Sequence, residues 1–316
     1  MMQLKFNSLK SDSLKPDSLK SGSLKSGSLK SSSVKCGDKT LDLSRPAVMG
    51  ILNITPDSFS DGGQLYRDGQ LDQSKTLRAV EAMLSDGADI IDIGGESTRP
   101  GAAPVSVAQE LDRVMPILNA VQERFDCLVS VDTSTAQVIT QAAGAGANII
   151  NDVRALQREG ALQAAAATGL PVCLMHMQNQ PDSMQNNPEY QDVVGEVLGF
   201  LAQRKKDCIT AGIAADQIML DPGFGFGKTL AHNLMLFNAL DQFAATGHSI
   251  LVGVSRKSMI GQMLASEVDQ RLIGSVTMAV LAAQKISAVN GSLILRVHDV
   301  KETVQALRVW QTSTEN

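Results

Sequence analysis

"LRAVEAMLSDGADIIDIGGESTRP", residues 77–100, holds one complete structural unit. Leu77, Val80, Met83 and Leu84 recur at helical spacing and form one apolar stripe. Asp86-Gly87 stops it, since glycine readily takes the left-handed conformation in which helices end. DIIDI (89–93) is then a short apolar run of strand length, and Gly94, Gly95, Glu96, Ser97, Thr98, Arg99 and Pro100 end it in a polar, glycine- and proline-bearing loop.

The same rhythm extends in both directions. Strand-like runs occur at 47–52 (AVMGIL), 128–131 (LVSV), 148–150 (NII), 171–175 (PVCLM), 217–220 (QIML), 249–254 (SILVGV) and 292–297 (SLILRV). Helical spacing lies between them. Ser106 and Gln109 form a capping box ahead of Leu111, Val114, Met115 and Leu118, and 190–211, 231–245, 270–289 and 299–311 also read as helices. Eight such units over about 265 residues predict an α/β fold, a closed (β/α)8 TIM barrel. The alternative, a doubly wound open sheet, more often uses roughly five to seven strands and a glycine-rich first turn. Asn53-Ile54-Thr55-Pro56-Asp57 is not that turn.

Composition narrows the function. The chain has 316 residues, 43% of them hydrophobic, with a formal charge of −5, which suits a large core and not a nucleic-acid surface. Aromatics at 3% are too few for base-stacking platforms. No apolar run reaches the roughly 18 residues of a membrane helix. Cys36, Cys127, Cys173 and Cys208 show no paired metal spacing. Cys127 and Cys173 sit beside or within strand runs and read as small core residues, and a reducing, cytoplasmic compartment fits best.

Residues 1–40 read as a separate object. From 8 to 35 the chain repeats a five-residue SLKxx unit, a period that matches neither helix nor strand. One leucine per unit cannot offset the entropy of ordering, so a disordered low-complexity tail is expected over 1–40, with the catalytic barrel over 41–316. On that reading, residues 2–36 contribute nothing to the core. The tail carries +5, leaving −10 for the rest, and acts either as a weak electrostatic tether or as a neutral repeat expansion.

What ends each strand carries the chemistry. The runs end at Asn53, at Gly94–Pro100, at Asp132, at Asn151-Asp152, at His176, at Asp221, at Ser255-Arg256-Lys257-Ser258, and at Arg296 and His298. Barrel sites sit at this C-terminal rim. Helix capping accounts for some Asn, Asp and Ser here, but not for Arg296, Lys257 or the long loops. Asp132, Asn151, Asp221 and Lys257 suit a flat heterocycle whose edge alternates donors and acceptors. Arg296 can stack on a ring face or bind an anion. Asn53, Ser60–Gly63, Arg256 and His298 suit phosphate or pyrophosphate, and Asn53 and Asp57 can meet a hard cation. His176 and His232 read as structural or framing residues, and His248 falls on the opposite face.

In detail the motifs resemble those of the dihydropteroate synthase family. NITPDSFSDGG (53–63) and GADIIDIGGESTRPGA (87–102) match its two signature segments. VDTS (131–134), NDV (151–153), LMHMQ (174–178), DPGFGFGK (221–228), SRKSMIG (255–261) and RVHDVKET (296–303) follow in order. The likeness spans about 41–312; the SLKxx repeat has no counterpart in it, and KISAVNGS (285–292) is several residues longer than usual, an extension expected on the face away from the rim.

The resemblance implies joining of p-aminobenzoate to 6-hydroxymethyl-7,8-dihydropterin pyrophosphate. It implies Asp132, Asn151, Asp221, Lys257 and Arg296 on the pterin; Phe59, Thr98, Pro100, Phe226 and Ser258 around p-aminobenzoate; and Asn53, Arg99, Arg256 and His298 at the leaving group. Asn53 would hold Mg2+. It further implies sulfonamide inhibitors, a homodimer, and no nucleic-acid or membrane partner. Two other readings are a pterin-binding methyltransferase domain, which should lack the SFSDGG and STRPGA loops, and a catalytically silent pterin-binding paralogue, which an assay separates.

Overall fold

The structure, a computed structural model, describes residues 33–55, 65–67, 70–97, 104–179, 184 and 188–314. Twelve strands are present among them. An antiparallel hairpin comes first, β1 (Ser33–Cys36) and β2 (Lys39–Asp42). A second small ribbon pairs β4 (Tyr66–Arg67) with β5 (Gln70–Leu71). The other eight, β3 (Ala47–Asn53), β6 (Ile90–Gly94), β7 (Leu128–Asp132), β8 (Ile149–Asp152), β9 (Val172–Met175), β10 (Ile218–Asp221), β11 (Ser249–Val252) and β12 (Leu293–Val297), pair in parallel in chain order around a closed barrel. Helices lie between consecutive barrel strands, as the eight-unit rhythm predicts.

The quoted unit folds as read. The helix Gln73–Ser85 is closed by Asp86, and Gly87 follows at φ +100. The Ser106–Gln109 capping box is complete at the start of Val107–Arg124. The expected 231–245 helix is instead two, Leu230–Asn238 and Leu240–Ala244, meeting at Ala239. The long 285–292 segment is the last turn of Leu272–Ser287 and a tight turn, in which Gly291 donates its N–H to Ile286 O. It lies before β12, away from the rim, and β12 keeps a regular register on both neighbours.

Side chains alternate inward and outward along each strand. All eight barrel strands contribute to a lower inner cluster: Ala47 and Met49, then Ile90, Leu128, Ile149, Cys173, Met219, Leu251 and Ile294. Val34, Cys36, Leu41 and Leu43 join it, so the hairpin plugs the N-terminal mouth of the barrel.

This corrects the domain boundary at residue 40. The sixth SLKxx unit reads SVK, and its valine with Cys36 gives two inward apolar residues at strand period, buried at 6% and 0% exposure. Residues 33–40 therefore belong to the folded unit, and a tail of 2–36 does contribute to the core. The disorder expected for residues 1–32 lies outside the described residues.

Candidate active site

Two residues above the lower cluster, the inward positions change character. On β6 it is Asp92 and on β7 Ser130; further up come Asn53, Asp132, Asn151, Asp221, Arg296 and His298. The last six face a rim cavity of about 500 Å³, with Asp92 and Ser130 buried beneath it. Its lining includes Asn53, Asp132, Asn151, Asp221, Phe226, Arg256, Lys257, Ser258, Arg296 and His298, ten of the residues expected from sequence. Phe59, Thr98, Arg99 and Pro100 lie outside the described residues, as do Asp57 and 60–63.

The centre of the site is an ion cluster. Arg296 Nε is 2.6 Å from Asp92 Oδ2, and Arg296 Nη2 is 3.0 Å from Asp132 Oδ2. Asn151 Nδ2 donates to both Asp92 oxygens at 3.3 and 3.4 Å. Burial opposes the charge on Arg296, yet the two carboxylates more than offset it and its pKa is raised. The guanidinium is thus locked in place with its charge compensated, which suits its face to stacking on a flat ring. Burial pushes Asp132 up, with Asp92 acting the same way and Arg296 pulling it down. Burial also raises Asp221, against the pull of Lys257 and of the Gly223 N–H that its Oδ1 accepts at 2.7 Å. Burial lowers Lys257 to about 8.

Lys257 ends the loop after β11 and precedes the helix Ser258–Leu264. Its Nζ donates to Phe224 O and stands 4.6 Å from the centroid of the Phe226 ring. Arg256 adopts φ +56, a conformation that requires support in a non-glycine residue. Ser275 Oγ accepts its N–H at 2.9 Å, and Arg271 Nη1 donates to its carbonyl at 3.0 Å. Its side chain forms a two-point ion pair with Asp299. His298 Nδ1 lies 3.1 Å from Ser255 Oγ.

The ring therefore divides. Carboxylates and an amide come from β6, β7, β8 and β10, and cationic groups come from the β11–β12 side beside Asn53 on β3. An electron-poor, N–H-bearing edge fits the first half; a phosphorylated group fits the second.

Four contributions were not read from sequence. Asp92 is fully buried mid-strand and anchors Arg296. An acid inside an otherwise apolar strand, at the inward parity of Ile90, was the available signal. Glu96 lines the cavity, gripped at two points by Arg154 at 3.0 and 3.1 Å and by Arg158 at 3.2 Å. That pairing spans about sixty residues and has no local signature. Arg271 and Ser275 act on Arg256 from a helix that reads only as a scaffold. His176 is buried against Lys228, and His248 Nδ1 donates to Ile218 O on the far side, as expected for structural histidines.

Residues 49–298 match the family described as pterin binding enzyme. The chain is 53% identical over 276 residues to the dihydropteroate synthase of Haemophilus influenzae, covering 87% of this chain and 97% of that protein. It superposes on the Yersinia pestis dihydropteroate synthase, solved as a sulfonamide drug complex, with a TM-score of 0.85 and 53% identity, covering 90% of this chain and all of that one. On a Xanthomonas albilineans dihydropteroate synthase solved with 4-aminobenzoic acid the TM-score is 0.82 at 43% identity, over 90% of this chain and 99% of that one.

Proposed function

The chain belongs to the dihydropteroate synthase branch of the pterin-binding enzyme family, and from that premise we propose how its rim residues divide the reaction. The reaction is a transfer: p-aminobenzoate is joined to 6-hydroxymethyl-7,8-dihydropterin pyrophosphate, pyrophosphate leaves, and 7,8-dihydropteroate forms for folate biosynthesis. The observation that carries the assignment of roles is the convergence of Asp132, Asn151, Asp221, Lys257 and Arg296, from five strand ends, on one cavity.

A neutral aromatic amine needs no strong base before it attacks. The demanding event is cleavage of the carbon–oxygen bond as an anion departs, and the dihydropterin can share positive charge developing at the reacting CH2. Catalysis is then positioning and electrostatics. Asp132, Asn151 and Asp221 accept or exchange hydrogen bonds with the pterin edge, Lys257 donates to it, and Arg296 stacks on its face. Arg256 and His298, with Arg99, stabilise the leaving pyrophosphate. Arg256 begins paired to Asp299, so the incoming anion must share or displace that carboxylate. Phe226 and Ser258 frame the amine, with Phe59, Thr98 and Pro100 assigned by their places in the matching motifs. As the new N–C bond forms, the amine nitrogen becomes cationic and releases its proton to solvent or pyrophosphate.

Asn53 would hold Mg2+ on the pyrophosphate. No group of three His, Cys, Asp or Glu side chains capable of caging a metal exists among the described residues, and Asn53 offers one oxygen at the rim. That donor set fits an ion carried largely by substrate phosphates and water, as Mg2+ commonly is. The ion would supply charge neutralisation of the leaving group.

A homodimer is supported by apolar surface. Leu264 approaches Gly274, and Leu264 and Ile273, on neighbouring helices, are 51% and 73% exposed. Cytoplasmic residence is supported by four free cysteines, all buried. Formation of dihydropteroate from the two purified substrates, with and without Mg2+, tests the whole reading; a folded protein that binds the pterin but makes no product would identify a silent paralogue.

A further inference from the structure

Residues 222–228 form a glycine-rich loop after β10 that carries Gly225 and Phe226 into the cavity. Glycine is required where the loop meets the backbone after β9. At Gly223, φ +72, a Cβ would stand 1.9 Å from His176 O; at Gly227, φ +61, one would stand 2.8 Å from Gln178 O. Two stretches of backbone are thus pressed together with their carbonyls converging.

Lys228 resolves that convergence. It is 4% exposed, and its Nζ lies 2.9 Å from Gly223 O, 2.9 Å from Phe226 O, 3.2 Å from His176 O and 2.9 Å from His176 Nδ1. Burial lowers the Lys228 pKa to about 7, against the pull of Asp221, and the four converging acceptors are matched by the three N–H groups of the ammonium form. For His176 Nδ1 to accept, the imidazole must be neutral, and burial with the nearby Lys228 charge lowers its pKa to about 3. Other bonds brace the loop within itself or to neighbouring side chains: Phe226 N–H donates to Gly223 O at 3.2 Å, Asn233 Oδ1 accepts the Gly225 N–H at 2.8 Å while its Nδ2 donates to Lys228 O at 3.4 Å, and Tyr190 Oη donates to Gly227 O at 2.8 Å. Lys228 alone among these ties both ends of the loop to each other and to the end of β9.

We infer that Lys228 is a positioning residue for the amine half of the site, its buried ammonium setting the loop that presents Phe226 to p-aminobenzoate. Lys228 does not itself line the cavity, though its partner Phe226 does. It acts through Phe226, whose carbonyl it holds. The pterin half depends on it less, because Asp221 belongs to β10 and is fixed by that strand's pairing with Met175 of β9.

The inference rests on the synthase reading, so wild-type turnover in the same assay is measured first. An inactive wild type would sink that reading and this inference with it. With an active wild type, Lys228→Ala and Lys228→Met test the inference alone, the methionine keeping the length of the stem. We expect KM for p-aminobenzoate to rise at least about tenfold, the loss of a charge-assisted hydrogen-bond set. The Kd of a pterin analogue, by calorimetry, should change by less than about fivefold, since Asp221 keeps its own partners. Ethylammonium should restore KM in Lys228→Ala, and tetramethylammonium at equal ionic strength should not, because it has no N–H to share among the acceptors. Unchanged KM in a folded variant overturns the inference. So does a parallel loss of pterin affinity, equal rescue by both cations, or failure of both variants to fold, which would make Lys228 a requirement of the fold.

Discussion

Arg296 stands between two carboxylates, and the one deeper in the barrel is the more consequential for folding. Asp92→Ala would leave Asn151 without its acceptors and Arg296 with one buried partner in place of two. Breaking a buried pair on one side is expected to destabilise by about 3–5 kcal/mol. Urea denaturation checks this, and a loss under about 1 kcal/mol would show that Asp132 alone satisfies the guanidinium. Lys257 sets a pH dependence. Burial lowers its free-enzyme pKa to about 8, and a pterin acceptor favours the protonated form, so binding takes up a proton once the free lysine has lost it. Pterin affinity should fall as pH rises through that value, approaching about tenfold per unit. Calorimetry across pH 6.5–9.5, as a roughly chosen window around that value, tests the sign. Affinity that rises with pH would remove Lys257 as the donor. The strand-end residues were legible because each follows an apolar run. Asp92 was not, because reading strand ends passes over a polar residue two positions below the rim.

Elements of secondary structure were legible wherever the hydrophobic period ran long enough, and the N-terminal hairpin is where it did not. Two residues of burial at a period of two, Val34 and Cys36, are hidden at the end of a five-residue repeat that overwhelms them in any window. Two truncations separate tail from fold. Removing residues 2–32 should change stability by less than about 0.5 kcal/mol, as for exposed segments away from packing. Removing 2–36 also deletes β1, strips β2 of its partner and uncovers the lower cluster. The valine alone is worth about 1.5–3 kcal/mol, so a loss of roughly 3 kcal/mol or more is expected. Thermal melts of the two proteins side by side decide it, and equal melting would mean the plug adds nothing.

At the scale of the whole molecule, the barrel brings its two half-sites together, and that predicts pharmacology. Sulfonamides share the shape of p-aminobenzoate and the placement of its anionic oxygens, and the Yersinia pestis relative was solved with one. Steady-state kinetics at varied p-aminobenzoate should show competitive inhibition, stronger when pyrophosphate and Mg2+ are present. Full activity at drug concentrations far above that of p-aminobenzoate would mean the amine pocket differs from the one built by Phe226, Lys257 and Ser258.

Read alone, the sequence determined the number and order of the βα units, the rim as the working face, and ten of the residues that line its cavity. Those follow from local rules: a strand must be apolar where it is buried, and a side chain that breaks the rule at its end must serve something else. Only the tertiary structure decided which charges meet. Arg296 finds Asp92 across 204 positions of chain, Glu96 finds Arg154 across 58, and Lys228 finds His176 across 52. Such partners share no period and no motif, because closing the barrel puts neighbours from distant strands on one ring, and the ring's geometry, not the chain's, sets which of them stand within hydrogen-bond distance.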